Sequence, residues 1–82
     1  MPAASRDTVR RWIVHALTAL GPSSPREVYD WIRHNETVPA ADLAGQTDDG
    51  ECLFEKEVRF ARWTMRRDGT IVSPRRGVWA LT

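Results

Sequence analysis

The sequence predicts a mainly α domain closed by a small C-terminal β-hairpin. Two segments with apolar residues at helical spacing are joined by "GPSSPRE", a third ends at "RRDG", and the period then changes to two around "SPRRG". With 82 residues, 41% hydrophobic and 28% charged, the chain is expected to form one domain over 1–82 with a modest core.

The first helix is expected from Ser5 or Asp7, either of which can cap it, to Leu20, with Val9, Ile13, Ala16, Leu17 and Leu20 on its inner side. Gly21 and Pro22 end it. In "SPRE", Ser24 can cap a second helix, Pro25 fits its first position and Glu27 can close a capping box. That helix should turn Val28, Trp31, Ile32 and Tyr29 inward. Residues 36–50 carry Glu36, Asp42, Asp48 and Asp49 and no lysine or arginine, and read as an acidic loop. Within it "PAADLAG" admits one short helical turn after Pro39.

A third helix is expected from Glu51 or Leu53 to Gly69, with its acids early and Arg66 and Arg67 late, as the helix dipole favours. Strands over Thr70–Ser73 and Val78–Leu81 would then flank a "PRRG" turn. Three helices followed by a hairpin describe a winged helix-turn-helix, whose last helix before the C-terminal wing usually enters a groove of DNA.

The third helix carries the functional signal. At about 100° per residue, Phe54, Val58, Ala61 and Met65 cluster on one side and Phe60 lies at the edge of that stripe, where it is expected to join the core. Arg59, Arg66 and Trp63 fall opposite, with Arg62 and Arg67 on the shoulders. A charged stripe is often only a solvated face. An outward tryptophan fits that reading poorly, because exposed aromatics gather where something else is bound. Two kinds of role suit Trp63: contact with bases or sugars, or stacking on an unpaired or extruded base, while the arginines neutralise phosphates; alternatively it covers Leu53 or Phe60, or binds a partner protein. Arg75 and Arg76 at the wing tip are expected to reach a phosphate or the minor groove. The start of the second helix, with Ser24 and Arg26, is a further candidate phosphate contact through free backbone N–H groups.

Other classes find little support. Cys52 is the single cysteine, and with His15 and His34 it makes no metal-ligand spacing. There is no Gly-rich phosphate loop, no nuclease spacing of acids and lysine, and no nucleophile with a positioned base. A non-catalytic module with no cofactor, metal or small-molecule substrate is expected, and catalysis would need a further domain. No apolar run approaches a bilayer-spanning length and the start lacks the apolar core of a secretory signal, so a cytoplasmic location without a membrane partner is expected.

"REVYDWI", "FEKEVRFARWTMRRDGTI" and "SPRRGVWALT" together resemble the amino-terminal winged-helix domain of Mrr-type restriction endonucleases, over about residues 7–82. The ending serine-proline-basic-basic-glycine-valine-tryptophan, after an arginine-bearing helix closed by glycine, is the most specific piece. The resemblance implies a DNA-targeting module for a nuclease domain, in enzymes that act on modified DNA. It places Arg59, Arg62, Arg66 and Arg67 on the recognition helix and Arg75 and Arg76 in the wing, and makes Val78 and Trp79 the strand that seals the core. Where members of the family often have a polar residue and then an aromatic, this chain has Trp63 and then Thr64. Related winged helices read methylated adenine in duplex DNA, so the resemblance makes Trp63 and Thr64 candidates for contact with a methyl group. The alternative is a winged helix that docks a protein through Trp63 and the acidic loop.

Overall fold

The computed structural model describes residues 5–82, so the first four residues of the expected 1–82 domain lie outside the described part. Four helices and a two-stranded antiparallel sheet follow in order: α1 (Arg6–Leu20), α2 (Pro25–Asn35), α3 (Ala40–Ala44), α4 (Leu53–Arg67), β1 (Ile71–Val72) and β2 (Ala80–Leu81). The expected third helix is therefore α4, and the short turn after Pro39 is α3.

Helix α1 is capped by Ser5, whose hydroxyl accepts from the Thr8 N–H. Val9, Ile13, Ala16 and Leu17 are buried as their spacing demands. Leu20 is not: it lies in the last turn and is 42% exposed. Trp12 takes a place in the core instead, with its ring centroid 6.4 Å from that of Phe54. Helix α2 starts with the full reciprocal capping box of Ser24 and Glu27 and has Pro25 in its first turn. It buries Val28, Tyr29 and Ile32, while Trp31 is only half-buried against the core.

Helix α4 buries Phe54, Val58, Ala61 and Met65, the four residues its period selects, and packs on α1. It ends where Gly69, at φ +87°, adopts the left-handed conformation and the Thr70 N–H reaches back 2.9 Å to the Met65 carbonyl. Helix α3 is fastened to the start of α4 by the Leu53 N–H, which donates to the Gly45 carbonyl at 2.9 Å.

The strands are shorter than the period-two pattern implies. Ile71 pairs with Leu81 and Val72 with Ala80, and the chain from Ser73 to Val78 is given to the turn. Trp79 bonds elsewhere: its N–H donates to the Ser23 carbonyl at 2.8 Å and its carbonyl accepts from the Ser23 N–H at 3.0 Å. This bridge ties the hairpin to the α1–α2 connection. Trp79 is buried edge-on to Tyr29, with ring centroids 6.2 Å apart, in the core-sealing place expected for it.

Candidate nucleic-acid interface

Helix α4 presents two different flanks to either side of its buried stripe. Arg59, Arg62 and Arg66 recur at spacings of three and four, which puts them in one row, and the hairpin meets that row at Arg62. Phe60, Thr64 and Arg67 follow the same spacing along the other flank, toward α1. Trp63 lies between the rows, opposite the core.

The hairpin-side row is not uniform. Arg66 is exposed and makes no ion pair among the described residues, whereas Arg59, also exposed, is paired with Glu51 just before the helix. Arg62 turns inward. It is half-buried, its Nη2 donates to Ser73 Oγ at 3.2 Å, and its guanidinium carbon lies 5.3 Å from the Trp79 ring centroid. Its Nε is buried without an acceptor among the described residues. At the far end of the hairpin Arg75 and Arg76 are exposed, on a turn closed by the Val78 N–H on the Arg75 carbonyl at 3.2 Å. Gly77 permits that turn with φ +78°.

The flank toward α1 differs from expectation. Phe60, expected at the core edge, is 41% exposed and stacks on Trp63 with ring centroids 6.1 Å apart and planes 29° from parallel. The reason is angular: Phe60 lies well over 90° from the centre of the buried stripe, too far round the helix to reach the core. Arg6 of α1 lies 4.7 Å from the Phe60 centroid and Arg67 lies 4.9 Å from that of Trp63. Trp63 is 49% exposed, yet its ring is engaged by an aromatic and a cation of the same molecule.

Thr64 is half-buried, and its hydroxyl donates to the Ala61 carbonyl at 2.7 Å. With Arg10, Arg67 and Asp68 it lines a shallow depression between α1 and α4. Arg10 pairs with Asp68, which also accepts from the Thr70 hydroxyl and N–H. These Thr70 bonds, with Arg10 behind them, hold the Asp68 carboxyl below its ordinary range. Arg6 and Arg10 escaped the sequence-based site because their partners lie at the opposite end of the chain and share no local spacing with them.

The start of α2 offers less than expected. The Ser24 N–H donates to Glu27 Oε1 at 2.9 Å, the Glu27 N–H donates to Ser24 Oγ at 3.3 Å, and Pro25 has no N–H. Of the terminal donors only the Arg26 amide remains, beside a carboxylate. An anion would compete there with Glu27, so Ser24 serves as a cap, and exposed Arg26 is left as a side-chain charge.

Among the described residues no group of three or more histidine, cysteine or acidic side chains is arranged to hold a metal ion. No helix among them is long and apolar enough to cross a membrane. No curated protein and no solved structure matches the chain. A family match covers residues 8–82, from the first turn of α1 through the hairpin, and takes in both flanks of α4 and the turn with Arg75 and Arg76. The chain belongs to the Mrr N-terminal domain family of restriction-system proteins.

Proposed function

We propose that the chain is a single winged-helix domain that binds duplex DNA and targets a nuclease carried on another domain or chain. Helix α4 enters the major groove and the hairpin, as the wing, meets the adjacent backbone. One observation carries this reading: exposed Arg66 on α4 and exposed Arg75 and Arg76 on the turn have no ion-pair partner among the described residues. The contact of Arg62 with Ser73 keeps helix and turn together. Arginines left unpaired on two elements held side by side suit a polyanion better than solvent alone. The order of helix, Ser23 bridge, three helices and hairpin supports the winged-helix assignment, and family membership supports DNA as the partner.

Trp63 sharpens specificity in this reading. Its outer edge meets an apolar group in the groove, either the methyl of a methylated adenine or that of thymine, while Arg66 and Arg59 contact phosphates. Phe60 and Arg67 already lie against the indole ring, so an edge contact is favoured over stacking on an extruded base.

Selection from random duplexes, with unmethylated and adenine-methylated pools side by side, tests both parts. Enrichment of a common sequence in both pools with equal strength would keep DNA binding and remove the methyl reading. No enrichment from either pool would remove the DNA reading. A second reading, docking of a protein partner, is favoured by the exposed Phe60–Trp63 pair flanked by Arg6 and Arg67. A Trp63→Ala variant that keeps full DNA selectivity but loses a partner would support it.

A further inference from the structure

We propose that Arg62 is a positioning residue: it clasps the two ends of the wing segment, sets the wing against α4, and is not itself a DNA contact. This deepens the DNA-binding reading and rests on it. The segment "SPRRGVW" begins at Ser73 and ends at Trp79, and the Arg62 guanidinium touches both, donating to Ser73 Oγ at 3.2 Å and lying 5.3 Å from the Trp79 ring centroid. The five residues between them, Pro74 to Val78, carry the two tip arginines away from the body. A cation placed to grip phosphate keeps its donors toward water. Arg62 instead is half-buried, with Nε out of solvent and unpaired among the described residues. The planar guanidinium suits this place because it can stack on an indole and donate sideways at once, which an ammonium cannot.

Trp79 is itself anchored, through its backbone to Ser23 and through its ring to Tyr29. One end of the clasp is thus fixed to the core and the other to the base of a short two-residue strand. Two strands of two residues hold a wing weakly on their own. The clasp supplies the missing constraint and so determines where Arg75 and Arg76 stand relative to Arg66.

The test is a double-mutant cycle on duplex binding, with a duplex of random sequence as the probe. Arg62→Met is combined with the pair Arg75→Ala and Arg76→Ala. If Arg62 acts through the wing, Arg62→Met weakens binding about tenfold with the tip arginines present and by less than about twofold without them. Equal losses in both backgrounds would mean that Arg62 touches DNA, and would overturn the proposal. Arg62→Lys keeps the charge and loses the planar fork, so it should behave like Arg62→Met; full affinity in Arg62→Lys would also overturn it.

Hydrogen exchange on the free protein decides the clasp without DNA. Exchange of the Val72 and Val78 amides should quicken in Arg62→Met while α1 amides keep their protection, and unchanged wing exchange would refute the clasp. If Arg62→Met loses protection throughout, Ser73→Ala removes only the acceptor and is read in the same way. Wild-type protein that binds no duplex would instead refute the DNA reading, leaving the exchange result to stand for the clasp.

Discussion

Trp63 occupies a position that a helical wheel assigns to solvent, and the structure fills its surroundings from two directions. Phe60, one turn back, stacks against it, Arg67, one turn on, covers it, and Arg6 brings α1 to the other end of the stack. Such contacts are worth about 0.5–2 kcal/mol each when partly exposed. Trp63→Ala should therefore lower the melting temperature by several degrees and leave the domain folded, as circular dichroism would show. Phe54→Ala, which empties a position only 1% exposed, should cost about 3–5 kcal/mol and threaten folding. A Trp63→Ala protein that fails to fold would make the stack a part of the core. The arginines of α4 were legible in the sequence because a local period places them relative to the buried stripe. The inward turn of Arg62 and the arrival of Arg6 were not legible, since each depends on an element that the helix meets only after folding.

Elements with a strong period or a specific cap were predicted nearly to the residue. Ser5, the Ser24–Glu27 box and Gly69 mark their helix ends by local hydrogen bonding or backbone conformation, which needs no tertiary partner. The strands were overestimated because alternation continues through residues whose backbone goes to the turn or, at Trp79, to Ser23. Helix α3 is too short to announce itself by period, and what fixes it is its joint with α4. At Gly45 an added Cβ would lie 2.6 Å from the Ala41 carbonyl oxygen and 3.0 Å from Leu53 Cδ2. Backbone conformation does not demand glycine there, at φ −72°, but space does. Gly45→Ala should push α3 off the start of α4 and destabilise by about 1–3 kcal/mol. For a domain of this size that is a fall of about 4–8 °C in melting temperature per kcal/mol, and an unchanged melt would show that the joint is loose.

Charge is organised over the whole molecule, with four acids and no lysine or arginine in residues 36–50 and seven basic residues against four acids from residue 51 onward. Part of it holds the fold together. Hydrogen bonds from Ser24 lower the Glu27 carboxyl, those from Thr47 lower Asp49, and those from Thr70 lower Asp68. A carboxyl depressed in the folded state adds stability above its unfolded pKa of about 4, and that stability is lost as pH falls through the folded value. The melting temperature should be level near neutrality and drop below about pH 4, and Asp68→Asn should flatten that drop.

The rest of the charge remains available to a polyanion. Among the described residues Arg66, Arg75 and Arg76 are exposed and outside the ion pairs, and Arg59 is paired with a solvent-exposed glutamate and lies against the Tyr29 hydroxyl. Surface pairs of that kind are worth little, so Arg59 can exchange Glu51 for a phosphate. With about four phosphates neutralised, release of their counterions should weaken duplex binding about a hundredfold between about 50 and 200 mM salt. Fluorescence anisotropy at several salt concentrations reads the slope directly. Replacing Arg66 by alanine should flatten that slope by about one unit and reduce affinity on every sequence alike. Trp63→Ala should leave the slope unchanged, because an indole edge releases no counterion. Binding that is insensitive to salt would mean the arginines do not meet phosphates, and would shift the balance to the Phe60–Trp63 flank and a protein partner.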